Sequence, residues 1–227
     1  MEQRYDVRDM PTQIPEETLA RLRQVETATV GHFRLRGFMA PRVRPMLPGR
    51  RIAGTAVTVR TVDIDSTAIL IAIDALRPGD VLVVDRGGED RHACFGAVTS
   101  FAVLQAGAVG VIIDGRACDI PDIREQGLAL WCTGSSPVLG RRLELGGCVN
   151  VPVNCGGVLV SPGDAILADD SGVLVTDPSS GLDAMIDEAL ERQRREVALF
   201  ERLGAGEKLS DIAGSPRFAD YRRPSAN

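Results

Sequence analysis

The sequence predicts an α/β fold with a largely parallel sheet, and three observations lead there. Residues 53–132 alternate short β-branched apolar runs with stretches of helical period, the signature of strands joined by crossover helices. Residues 148–177 break into short apolar pieces separated by Gly-Gly, Pro-Gly-Asp and Asp-Asp-Ser-Gly, which punctuate β-rich structure. Residues 180–203 form one long amphipathic run dense in Glu and Arg, a C-terminal helical extension.

The 227 residues, 44% hydrophobic and 25% charged, suffice for a single domain over 1–227 with its own core. A net charge of −5 argues against nucleic acid as a partner. Five cysteines without a CxxC pair fit a reducing compartment and give neither a disulfide framework nor a structural zinc. The first ten residues lack an apolar leader core, and no apolar run approaches the ~20 residues of a membrane span, so a soluble, cytoplasmic protein is expected.

In chain order, residues 15–25 read as a helix with Leu19, Leu22 and Val25 on one face and Glu16 and Glu17 in its first turn. Residues 27–36 carry His32, either a packing or surface residue or part of a pocket. Residues 41–51 form a Pro- and Arg-rich connector, read as a solvated loop, with phosphate binding as the other reading. Residues 53–62 alternate as a strand, and residues 67–76 form an apolar helix ending at the turn Arg77-Pro78-Gly79-Asp80. Residues 81–84 are a buried strand that runs into Asp85-Arg86-Gly87-Gly88-Glu89-Asp90. Its glycine pair makes either a sharp turn or an anion nest of backbone amides. Residues 94–106 have a helical period, and residues 128–132 give a further strand. The last twenty or so residues are polar, frayed or wrapped around a neighbour.

Residues 109–125, VGVIIDGRACDIPDIRE, organise the rest. A buried strand ends at Asp114-Gly115, and Ile120 and Ile123 then recur at helical spacing, with Pro121 in the first turn. Asp119 immediately precedes that helix. It can cap the helix or face a ligand at the C-terminal end of the strand.

Three blocks carry a resemblance: GDVLVVDRGGEDRHACFG, AGAVGVIIDGRACDIPDI and VNVPVNCGGVLVSPGDAILADDSGVLV. Together they resemble the RraA-like family, which includes class II 4-hydroxy-4-methyl-2-oxoglutarate aldolases and regulators of RNase E activity, over a core of residues 20–178 that leaves the helix and tail of 179–227 outside. The resemblance implies an α/β/β/α sandwich, assembled as a homotrimer or a dimer of trimers, with sites between subunits. In the aldolases the site motif is an acid, twenty residues, Arg-Asp, and a further acid. It implies Asp119 as the residue that holds Mg²⁺ or Mn²⁺, Asp122 as the later acid, and the amides of Val98 and Thr99, at the helix start after Gly96, as binders of the substrate carboxylate.

This chain departs from that motif twice, with Ala97 at the position of the first acid and Cys118 at that of the arginine. The guanidinium would face charge that develops on a pyruvate enolate, and cysteine supplies no such donor. Arg116 and Arg91 are the candidate replacements, each otherwise a surface arginine. Cys118 is either a nucleophile beside a helix N-terminus or a packed thiol. Three functions follow: a metal-dependent carbon–carbon lyase, aldolase or decarboxylase, on a small 2-oxo acid; a different small-molecule reaction on the same scaffold; or a non-catalytic binding protein.

Overall fold

The computed structural model describes residues 4–221. A short strand β1 (Tyr5–Val7) precedes helices α1 (Glu16–Leu22) and α2 (Thr27–Gly31). Strand β2 (Arg44–Pro45) and the long β3 (Ile52–Thr61) lead to α3 (Thr67–Ile73) and β4 (Asp80–Asp85). Then come α4 (Ala97–Gln105), β5 (Gly110–Asp114), β6 (Arg116–Ala117) and α5 (Ile120–Gln126). Strands β7 (Leu130–Cys132), β8 (Gly134–Ser135) and β9 (Gly147–Val149) precede two hairpins. These are β10 (Val153–Cys155) with β11 (Val158–Val160), and β12 (Ala165–Asp169) with β13 (Gly172–Thr176). The long α6 (Leu182–Gly204) and two short helices, α7 (Leu209–Ala213) and α8 (Phe218–Tyr221), follow.

Strands β3, β4, β5 and β7 lie side by side and parallel. β4 shows why its sequence reads as a continuous apolar run: Leu82 and Val84 enter the core under α3, α4 and α5, while Val81 and Val83 enter the core on the opposite face. That second core is closed by Val153, Val160, Ile166 and Val173 of the hairpins, around the fully buried Trp131. A third core sits on the far side of β12 and β13, where Leu167 and Leu174 meet Leu19 and Leu22 of α1 and Leu182, Met185 and Ile186 of α6. The layers are therefore helix, sheet, sheet, helix, the expected α/β/β/α order with a C-terminal helical extension.

Several local expectations change. The residue 15–25 helix is confined to α1, although Val25 is still buried, and only the first five residues of 27–36 are helical. The 41–51 connector is solvated along most of its length, as expected, but Val43 and Leu47 are buried and β2 pairs antiparallel with β7. Apolar residues every fourth position were hidden there among arginines and prolines. The helix read from residue 94 begins at Ala97, because Cys94 and Phe95 are buried in extended chain that pairs with residues 116–118. β1, unforeseen, pairs parallel with β9. Of the tail, residues 222–227 lie outside the described residues. Among the described residues no helix is long and apolar enough to cross a membrane.

Candidate functional site

Beyond the C-terminal ends of β5 and β7 the chain builds a second, smaller parallel ladder. Residues 93–95 run beside β6 and the residues after it, with Cys94 N donating to Arg116 O at 3.0 Å and Cys118 N to Phe95 O at 2.8 Å. β6 in turn pairs with β8, and Ser136 N donates to Ala117 O at 2.9 Å. Three segments distant in sequence thus deliver Gly96-Ala97, Cys118-Asp119 and Ser135-Ser136 to one end of the sheet, where open α/β sheets place ligands.

Asp119 adopts a left-handed backbone, φ 52° and ψ 37°. For a residue with a Cβ such a conformation costs on the order of 1–2 kcal/mol. Its carboxylate makes no capping bond to α5. Oδ2 instead accepts the backbone N–H of Ala97, the first residue of α4, at 3.1 Å. The bland reading of Asp119 as the cap of its own helix is thereby corrected: it caps a neighbour, and the residue remains exposed. Gly96 makes this approach possible, since a Cβ there would lie 2.6 Å from both Asp119 Oδ2 and Cys118 Sγ. The amides of Val98 and Thr99 have no hydrogen-bond partner among the described residues. Both sit in the first turn of α4, where the helix dipole favours an anion.

Asp119 and Cys118 line an open cleft of about 490 Å³, with Ile120 and Pro121 beside them and Ser135, Ser136 and Leu139 opposite. Sequence reasoning missed this serine wall; its signal was the turn sequence Thr-Gly-Ser-Ser-Pro after a strand adjacent to β5. Burial, then the neighbouring Asp119, pushes the Cys118 thiol up to about 11. Its Sγ donates to Phe95 O at 3.4 Å. A raised thiol pKa disfavours the thiolate, which weighs toward the packed reading of Cys118 over the nucleophile.

The remaining candidates separate. Arg116 is committed: it pairs with Asp90 at 2.8 Å and its Nε donates to Asp90 O at 3.2 Å, so it is not a spare cation. Arg91 is exposed, its guanidinium unpaired among the described residues, and its carbonyl accepts the Ser136 hydroxyl at 2.6 Å. Gly87 and Gly88 make the sharp turn, with φ of 62° and 88°. The Gly87 amide already donates to Asp85 at 2.8 Å, which corrects the anion-nest reading at that residue. Neither glycine lines the cleft. Beneath the loop, the buried Arg86 donates to Glu89 at 2.8 Å and Glu89 also meets His92 Nδ1 at 2.8 Å, so the loop is held by its own charges. Asp122 is exposed in the first turn of α5, three residues after Asp119. Among the described residues no three His, Cys, Asp or Glu side chains are grouped as metal ligands. His32 is exposed and lines a separate small cavity beside Arg192.

A family model described as RraA-like, Aldolase/RraA, matches residues 20–175. A 4-hydroxy-4-methyl-2-oxoglutarate aldolase of Thermus thermophilus is 32% identical over 148 residues, which are 64% of this chain and 89% of that protein. Streptomyces coelicolor RraAS2, described as an unusual member of the RNase ES inhibitor RraA protein family, superposes with a TM-score of 0.73 at 30% identity, covering 83% of this chain and 98% of that one. An uncharacterized protein from Pseudomonas syringae pv. tomato shares the fold, with a TM-score of 0.77 at 24% identity over 90% of this chain and 96% of that one.

Proposed function

From the fact that this chain belongs to the RraA-like family, we propose that it is a divalent-metal-dependent carbon–carbon lyase, an aldolase or decarboxylase, acting on a small 2-oxo acid. The observation that carries this reading is Asp119, a carboxylate in left-handed backbone that lines the cleft and accepts the first amide of α4, although Val98 and Thr99 themselves are not among the residues lining it. Asp63 and Glu144 share this left-handed backbone, and Asp119 is the one of the three that lines the cleft, which supports a ligand-facing role.

The donor set fits a hydrated hard cation, which accepts one or two carboxylates and fills its other positions with water. Asp119 would hold Mg²⁺ or Mn²⁺ through Oδ1, with Asp122 close enough in sequence to bond its waters. When bound, the cation supplies Lewis-acid polarisation of the 2-oxo carbonyl. The Val98 and Thr99 amides receive the substrate carboxylate at the positive end of α4. The Cys118 thiol presents a neutral surface where a guanidinium would otherwise stand, and Ser135, exposed on the opposite wall, offers a hydroxyl. Arg91 has no side-chain partner among the described residues and holds the Ser136 hydroxyl of that wall on its carbonyl. We place the site in a homotrimer or hexamer, in keeping with Val98 and Phe101 of α4 being 85% and 55% exposed.

A second reading, a non-catalytic regulator or a different reaction on the same scaffold, is favoured by Ala97 and Cys118 and by the commitment of Arg116 to Asp90. The experiment that separates them assays oxaloacetate decarboxylation and cleavage of 4-hydroxy-2-oxo acids with Mg²⁺, Mn²⁺ and chelator. Metal-dependent turnover that disappears in Asp119→Ala supports the lyase. Metal-free protein as active as metal-loaded protein, or no turnover at any metal concentration, overturns it.

A further inference from the structure

A larger groove, of about 890 Å³, lies at the other end of the sheet. The register Thr176–Ala165–Thr55–Asp80 puts its floor where β4 begins, whereas Asp119 lies past the ends of β4 and β5 at Asp85 and Asp114. Its walls come from the segment after β1, the loop after α2, the turn before β12 and the chain leaving β13. Its size is that of a small-molecule pocket, for which 300–1,000 Å³ is the usual order.

Arg8, Asp177 and Ser180 on its walls are paired, but four other polar groups of this groove lack the usual partners. Arg34 lines it, and among the described residues its guanidinium has no carboxylate partner, only Met185 Sδ at 3.2 Å. Asp164 lines it without a basic partner among the described residues, one oxygen accepting Ser161 N at 2.7 Å. Burial raises the pKa of this carboxyl, as it does for a carboxylate lacking a cation. Two further lining residues, Asn150 and Thr176, are each only 4% exposed, and among the described residues Asn150 Oδ1 and Thr176 Oγ1 are buried without a hydrogen bond. A buried polar atom left unpaired costs the fold about 1–3 kcal/mol, so two of them lining one groove call for an explanation outside the fold. Asn150 is also held in a left-handed backbone, φ 57°.

A cation without an anion, a carboxylate without a cation, and an orphan acceptor and hydroxyl along one groove together describe a complementary molecule. We propose that this groove binds a small amino or hydroxy acid, its carboxylate on Arg34 and its ammonium or hydroxyl donors on Asp164, Asn150 and Thr176. The site is separate from the Asp119 cleft and stands whether or not that cleft is a lyase.

Saturation-transfer NMR on the full chain tests it, with L-serine and L-lactate as probes and propionate and ethanolamine as probes lacking one end. L-serine or L-lactate should bind more tightly than either one-ended probe. Arg34→Gln and Asp164→Asn should each weaken that binding at least roughly tenfold, while Asp119→Ala leaves it unchanged. Thr176→Val keeps the side-chain shape and removes the orphan hydroxyl. It should raise the melting temperature of the free protein yet weaken L-serine binding, and it stands in for either charge variant that fails to fold. The proposal is overturned if neither two-ended probe binds at millimolar concentration, if binding survives the variants, or if Asp119→Ala abolishes it.

Discussion

The backbone N–H of Ala97 donates to Oδ2 of Asp119 at 3.1 Å, joining the start of α4 to the residue before α5 across 22 positions of sequence. One bond thus ties two helix N-termini together and fixes where the Asp119 carboxylate stands.

Gly96→Ala tests that arrangement. The new Cβ would sit 2.6 Å from Asp119 Oδ2 and from Cys118 Sγ, so one of them has to move. Overpacking of this kind costs about 1–3 kcal/mol, to be read from the urea midpoint. Calorimetry should show Mn²⁺ affinity falling in the same variant. Unchanged stability and unchanged affinity would mean that the ladder yields easily and that Gly96 does not set the site.

The double change Ala97→Asp with Cys118→Arg restores the motif's acid and guanidinium. Metal-dependent cleavage of a 2-oxo acid aldol should rise at least tenfold, which needs only about 1.4 kcal/mol in the transition state. A folded, metal-binding double variant with no gain in rate would show that the cleft is shaped for another substrate.

Glu89 gives the pH dependence. Burial would raise its pKa, but hydrogen bonds from His92 and Arg86 overcome that and hold it at about 2, against 4.5 for the free group. A depressed carboxylate contributes stability above its unfolded pKa and loses it as pH falls through the folded value. The window is therefore pH 4.5 down to about 2, and the linkage amounts to about 3 kcal/mol. Glu89→Gln should lower stability at neutral pH and flatten the acid limb of a urea-midpoint profile. A parallel profile, merely displaced, would place the acid sensitivity elsewhere.

Phe101→Glu addresses assembly. Phe101 is exposed on α4 one turn from Val98, an apolar pair that water does not favour. Light scattering should give a trimer or hexamer for the natural chain and a smaller species for the variant. A natural chain that is monomeric at micromolar concentration removes the shared-site arrangement.

The sequence by itself determined the parallel strands of the core and the strand–turn–helix that carries Asp119. Strands buried on both faces are written in local composition, as in Val81-Leu82-Val83-Val84, and the strand–turn–helix around Asp119 is legible because its breakers and apolar period are contiguous. Tertiary structure alone decided what each polar group does. Asp119 serves α4 and not α5, Arg116 is taken by Asp90 26 residues earlier, and Ser135 and Leu139 form the facing wall of the cleft. In the connector of residues 41–51, Val43 and Leu47 are buried where Arg44 and Pro45 pair with β7, a partner distant in sequence. Burial by period is a local property of the chain, whereas the choice of a hydrogen-bond partner depends on which distant groups the packed layers bring within about 3 Å.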